Sequence, residues 1–343
     1  MAVKGKNDLN SKLELARRII LANPAVTANR TLAKLLLHEY PMLFKDIEGA
    51  RMAIRHVQGL TGKKFRSESR ESVSVFVNHL TKLRNEYKIN DGLKVDTSPY
   101  VISSEFKKIG VISDFHIPYA DLDAINIALE YFYNQGVDAV VINGDALDFN
   151  SISRFLSRPT EMRMLDSVSE GKKMLQYVSS ALGCKLILHE GNHDCRVEHY
   201  LLSKAPEFWG LASVELKNLL GCEELNVGYV KDIRTMHYGR LTIAHGHHIV
   251  KGVFAPVNPA RGAFIKANDN IMISHVHRTS SHIESNINGK ITGAWSIGCM
   301  TNIKPEYNPM VSRHNQGFAV VELTSDEGDF IVDNRMIIDY KLR

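Results

Sequence analysis

The chain has 343 residues, 44% of them hydrophobic and 23% charged. That is enough apolar material for a large core plus a smaller domain, and it excludes a disordered chain. The net charge is +4, but residues 1–70 hold 14 Lys/Arg and 6 Asp/Glu, a net +8, leaving the other 273 residues at −4.

The first ten residues, MAVKGKNDLN, lack an apolar signal core. Leu13, Leu15, Ala16, Ile19 and Ile20 then recur at helical spacing, and Asn23-Pro24 stops that helix. NRTLAKLLLHEY predicts a second helix, ended by Pro41. KDIEGARMAIRHVQG predicts a third, with Asp46 as N-cap, Ile47, Ala50 and Ile54 as the buried stripe and Gly59 as C-cap. Three short helices with a basic third one have the pattern of a helix-turn-helix or winged-helix module over residues 1–66. Its third helix presents Arg51 and Arg55, with Lys63 and Lys64 just beyond. A helical dimerisation module has the same periodicity. Arg51 and Arg55 stand four residues apart and repel each other unless an anion lies across them. A phosphate backbone is the expected anion, so nucleic acid is the expected partner. A solvated helical surface accounts for the charge surplus equally well.

Residues 67–104 are polar and mixed, a connector with one helix, ESVSVFVNHLTKLRNEY. From Lys107 the pattern changes. KKIGVISDFH, DAVVINGDALD and CKLILHEGNHD are short apolar runs that end in acid, Asn or His, with amphipathic helices between them. This strand–helix–strand–helix–strand order makes residues 105–343 an α/β layered domain. GRLTIAHGHH and DNIMISHVH add two more strands ending in histidine, and the tail from Gly317 alternates like antiparallel strands. No apolar run reaches the roughly 18 residues of a membrane span. Cys184, Cys195, Cys222 and Cys299 are scattered without a C-x-x-C, as reduced thiols of a cytoplasmic protein are expected to be.

In layered α/β sheets, ligands bind beyond the carboxyl ends of strands. Here five strands end in potential metal ligands: Asp114 and His116; Asp145; Asn192 and His193; His245; His275 and His277. In D-x-H and H-x-H, alternate residues of an extended strand share a face. Any one pair alone is more simply a core or surface histidine, but five strand ends agree. The mix of carboxylate, imidazole and amide without thiolate suits Mn, Fe, Zn or Ni rather than Ca or structural zinc. The donors exceed the needs of one ion. Two are implied, and ions about 3.5–4 Å apart are a recurring device for cleaving phosphate esters.

DFH, GDALD, GNHD, AHGHH and SHVH, in that order, resemble the motifs of the calcineurin-like metallophosphoesterases, from about Lys107 to the C-terminus. The closing motif usually begins with Gly, and another small residue, Ser274, stands there. The resemblance implies a four-layer sandwich, two mixed β-sheets flanked by helices, preceded here by the small all-α domain. It also implies roles. Asp114, His116 and His277 would hold one divalent ion, and Asn192, His245 and His275 a second, with Asp145 bridging; manganese is the expected metal. His193 would face the substrate and protonate the leaving oxygen or steady its charge, and Asp148 would pair with it. A hydroxide between the ions would attack phosphorus in line. The helical front and the GDALDFNSISRF and GNHDCR motifs are more loosely similar to phosphoesterases of bacteriophages and prophages.

Arg196 could contact phosphate or a nearby carboxylate, His189 reads as structural, and His247 and His248 as pocket-lining or surface residues. The favoured function is a phosphodiesterase or nuclease acting on nucleic acid. The alternatives are a phosphomonoesterase acting on nucleotides or phosphoproteins, and a DNA-binding protein with an inactive phosphoesterase domain. The complete motif set argues against the last.

Overall fold

The computed structural model describes residues 5–24, 26–61, 77–88, 95–154, 162–249, 257–303 and 313–343. They belong to two compact units, Met1–Lys94 and Val95–Arg343. None of the described helices is long and apolar enough to cross a membrane.

The first unit contains helices α1 (Gly5–Ala22), α2 (Asn29–Glu39), α3 (Ile47–Val57) and, over the described residues, α4 (77–86). Leu13, Ala16 and Ile19 of α1, Leu32, Ala33 and Leu36 of α2, and Ala50, Ala53 and Ile54 of α3 close on Phe44 as one core. Asp46 caps α3 by accepting the Gly49 N–H at 2.8 Å. Beyond its end Gly59 takes φ 70°, the left-handed turn glycine allows without strain. The anion expected across the α3 arginines is partly supplied within the helix, since Arg51 Nη1 lies 3.0 Å from Glu48 Oε1. Lys63 and Lys64 lie outside the described residues.

The second unit takes in residues 95–104 of the expected connector, because Tyr100–Val101 (β1) already pairs with a later strand. The other strands are, in chain order, β2 (Lys108–Ile112), β3 (Ala139–Asn143), β4 (Lys185–His189), β5 (Val227–Val230), β6 (Met236–Tyr238), β7 (Leu241–Ala244), β8 (Ile271–Ile273), β9 (Ser280–Ser285), β10 (Ile291–Ser296), β11 (Gln316–Leu323), β12 (Phe330–Ile338) and β13 (Lys341–Leu342). They make a seven-stranded sheet, β13-β12-β11-β2-β3-β4-β5, and a six-stranded sheet, β1-β6-β7-β8-β10-β9. Both are mixed: β2 to β5 run parallel, while β11 and β12 form the antiparallel hairpin expected of the tail.

Alternation along the strands sets the layers. Ile109, Val111, Ala139 and Val141 meet Ile243, Met272 and Trp295 between the sheets. Ile112, Val140 and Ile142 instead meet Leu129, Phe132 and Leu175 of the helices Leu122–Gln135 and Met164–Leu182. Ile271, Ile273 and Ala294 of the other sheet pack under Ala260 and Ala263 of the helix Pro259–Ala267. The result is the four-layer sandwich, with apolar runs buried on both faces. Because β2, β3 and β4 are parallel neighbours, their carboxyl ends lie side by side, and so do those of β7 and β8.

Candidate metal centre

The ligand candidates sit in the turns beyond the strands, and the expected strand alternation does not bring them together. Asp114 and His116 follow the end of β2 and adopt φ of 56° and 48°; His275 and His277 follow β8 at 67° and 54°, and Asp145 follows β3 at 52°. These are left-handed conformations, which Asp and His tolerate better than most residues but which still cost roughly 1–3 kcal/mol each. Backbone bonds between the turns hold them there. Asp114 N–H donates to Gly144 O at 3.0 Å, His116 N–H to Asp145 O at 3.0 Å and Ser274 N–H to His245 O at 3.0 Å.

The side chains converge in two adjoining groups, Asp114, His116 and His277 in one and Asp145, His245 and His275 in the other. In the first, His116 Nε2 lies 3.0 Å from His277 Nε2, and His277 Nε2 lies 3.2 Å from Asp114 Oδ1. Two imidazole nitrogens this close share either a proton or a metal ion, and in the metal-free protein a proton serves. Asp114 Oδ1 is buried and makes no hydrogen bond among the described residues. In the second group His245 Nε2 lies 3.1 Å from Asp145 Oδ2 and 3.2 Å from Asn192 Oδ1. Asp145 has one oxygen for each purpose. Oδ1 accepts the His193 backbone N–H at 2.7 Å, while Oδ2 faces both groups, 3.7 Å from His116 Nε2 and 3.1 Å from His245 Nε2. The donors therefore fit two divalent ions with a shared carboxylate.

The imidazoles are oriented from behind. His245 Nδ1–H donates to the Asn143 carbonyl at 2.8 Å, and His116 Nδ1–H faces Asp148 Oδ1 at 3.2 Å, so each turns Nε2 inward. Burial alone would raise the pKa of Asp114 and Asp145, but the surrounding imidazoles hold both well below the usual carboxylate range. Burial likewise lowers the imidazoles, yet Asp114 and Asp148 lift His116 to about 9, and Asp145 lifts His245 to about 9. His275 is pushed down to about 4 by burial and then by the neighbouring His245.

His193 stands beside these groups, its ring 4.4 Å from that of His116. Its Nδ1–H donates to Asp148 Oδ1 at 2.8 Å, which leaves Nε2 as the reactive nitrogen. Burial lowers its pKa against the pull of Asp145 and Asp148. Asp148 thus serves two imidazoles at once, a role beyond the single pairing expected. Arg196 also meets it. Nη1–H donates to the Asp148 carbonyl at 2.5 Å, and Nη2 lies 3.4 Å from His193 Nε2.

Three supports escape a reading by strand ends. Asp194 accepts the N–H groups of Gly191 and Leu147, each at 2.9 Å, and that of Ala146 at 3.3 Å, tying the GNHD turn to the GDALD turn. Ser274 uses the hydroxyl that Gly would lack, donating to the Asn143 carbonyl at 2.7 Å beside His245 Nδ1. Asn143 itself donates to Ser274 Oγ and the Ala244 carbonyl, both at 2.9 Å. For Asn143 and Ser274 the sequence signal was a polar residue at the end of, or directly beyond, a buried strand; Asp194, five residues past β4, carried no such signal. His189 is structural as expected. It sits between Asn143 Oδ1 and the Arg234 carbonyl, both at 2.9 Å, and burial drives its pKa to about 3.

The profile of the calcineurin-like phosphoesterase family matches residues 107–291. The Gene 54 protein of Mycobacterium phage L5 is 27% identical over 207 residues, 58% of this chain and 81% of its own. The Gene 54 protein of Mycobacterium phage D29 is 28% identical over 178 residues, 50% of this chain and 69% of its own. Among solved structures, the phosphoesterase Yfce from E. coli is similar over 65% of this chain and 96% of its own, at 15% identity and a TM-score of 0.32.

Proposed function

Because the chain belongs to the calcineurin-like phosphoesterase family, metal-binding hydrolases of phosphate esters, we propose that it is a two-ion phosphodiesterase acting on nucleic acid. The observation that carries the two-ion reading is Asp145 Oδ2, which faces His116 Nε2 on one side and His245 Nε2 on the other. Asp114, His116 and His277 would hold one ion, and Asn192, His245 and His275 the other. When bound, the ions lower the pKa of water toward 7 and neutralise phosphoryl charge, and manganese is the metal we expect. The protein's own groups do the rest. His193 would offer Nε2 to the leaving oxygen, Asp148 fixes its tautomer, and Arg196 would add positive charge where negative charge builds on the phosphoryl oxygens.

The nucleic-acid part of the reading rests on the basic N-terminal unit. There the Glu48–Arg51 pair weakens the argument, because it removes part of the charge that phosphate would meet. That pair is the observation favouring the second reading, a phosphomonoesterase. The test is hydrolysis of bis(p-nitrophenyl) phosphate, p-nitrophenyl phosphate and labelled DNA by chelated enzyme with Mn added back. A nuclease cleaves the diester and the DNA; cleavage of the monoester alone selects the second reading. In the full chain, Arg55→Ala should weaken DNA binding more than Arg51→Ala, whose charge Glu48 already meets. Each lost phosphate contact should flatten the salt dependence and leave small-diester hydrolysis unchanged. Unaltered DNA binding in the double variant removes these arginines from the interface.

A further inference from the structure

Next to the two groups lies a third convergence of ligand atoms that the proposed reaction leaves unused. Asp232 stands just beyond β5, and His247 and His248 follow His245 in the turn after β7. Asp232 Oδ2 lies 3.2 Å from His248 Nε2 and 3.5 Å from His247 Nε2. The His247 ring is 5.4 Å from that of His245 and 6.0 Å from that of His275. We propose that Asp232, His247 and His248 form a third divalent-cation site, of the zinc, cobalt or nickel class, adjoining the ion pair.

Geometry is the first support. Ligands about 2.0–2.2 Å from a tetrahedral ion stand about 3.3–3.5 Å from one another. The His247 separation of 3.5 Å matches that figure and the His248 separation of 3.2 Å falls just below it; both lie within the 3.1 to 3.7 Å separations around Asp145 Oδ2. An ordinary N–H···O bond, about 2.7–3.2 Å, accounts for the His248 contact but not for the longer one from His247.

His247 supplies the second. Its side chain is 13% exposed, its Nδ1 is buried without a hydrogen-bond partner, and its Nε2 stands 3.5 Å from the carboxylate. A mostly buried imidazole whose Nε2 stands at the long limit of a hydrogen bond is poorly satisfied, and a cation shared with Asp232 would give Nε2 a full ligand bond. A plain ion pair would need only His248.

The backbone that carries the carboxylate, moreover, is anchored. The Asp232 N–H donates to Glu190 Oε2 at 3.3 Å, and Glu190 Oε1 accepts the Tyr229 hydroxyl at 2.6 Å. Two imidazoles and one carboxylate select zinc, cobalt or nickel over calcium or magnesium. Three protein ligands leave a position open, and His248 is 55% exposed, so water or a phosphate oxygen can reach it.

Metal counting tests the site without any assay of turnover. Chelated full-length protein is equilibrated with micromolar zinc, desalted and analysed for ions per chain, with circular dichroism as the check on folding. The wild type should hold three. His248→Ala, a change at an exposed ring, and Asp232→Asn should each hold one fewer than wild type. Equal counts in wild type and both folded variants would overturn the site. Asp145→Asn, measured alongside, reports on the ion pair separately, so the two ideas fail independently.

Discussion

Asp145 commits one oxygen to the backbone of His193 and the other to the space between two ligand groups, so a change there touches both. Asp145→Asn and His275→Ala are expected to abolish hydrolysis and to reduce bound metal. Full ion content with near-native turnover in either variant rejects the assignment. His193 and Asp148 separate differently. His193→Ala should cost about 10²–10⁴-fold in turnover while the ions stay bound, and less for nitrophenol leaving groups, which need little protonation. Asp148→Asn should impair more than the His193 step alone. The same Oδ1 also faces His116 Nδ1 at 3.2 Å, so ion affinity should fall too, by about 10–100-fold. Competition titration with a metal indicator on the two variants decides it. Matched affinities would confine Asp148 to His193.

At the scale of the element, the site is a set of turns rather than of strands. Two glycines let those turns approach one another. A Cβ on Gly144 would stand 2.3 Å from His245 Nδ1, and one on Gly191 would stand 2.3 Å from Asp145 Oδ1. Gly144 also has φ +89°, so a side chain there would be strained whatever space it found. Gly144→Ala is therefore expected to displace the His245 ring, lower the melting temperature and lose metal from that side of the centre. Melting curves with and without metal provide the check. A variant stabilised by metal as strongly as wild type would mean that His245 had not moved.

For the whole molecule, the centre couples metal, protons and stability. His116 and His245 have pKa values raised from 6.5 to about 9 by their carboxylate neighbours. A raised imidazole pKa stabilises the metal-free fold fully below 6.5, and that stabilisation is lost as pH rises through 9. The same protons compete with cations, so metal affinity should climb over this window. Chelated protein should thus lose melting temperature from pH 6.5 to 9 relative to metal-loaded protein, and metal uptake should release protons. A gap in melting temperature that is flat across those pH values would contradict the proposed ligands.

Much of this was legible in the chain itself. Helix ends at Asp46 and Pro24, the apolar strands, and the order of DFH, GDALD, GNHD, AHGHH and SHVH are local features, written in adjacent residues. The Glu48–Arg51 pair is local too, since residues three apart on a helix are neighbours. Other features exist only once distant turns meet. Asp148 reaches His116 across 32 residues, Asp194 gathers amides from the turn that follows β3, and Ser274 answers a carbonyl 131 residues away. Even D-x-H works for a reason spacing does not convey. Left-handed turns held by bonds between strand ends, rather than strand alternation, aim Asp114 and His116 at one point. Spacing along the chain therefore determined which residues could be ligands, whereas the packing of two sheets decided which atoms face each other, because burial leaves those polar groups only one another as partners.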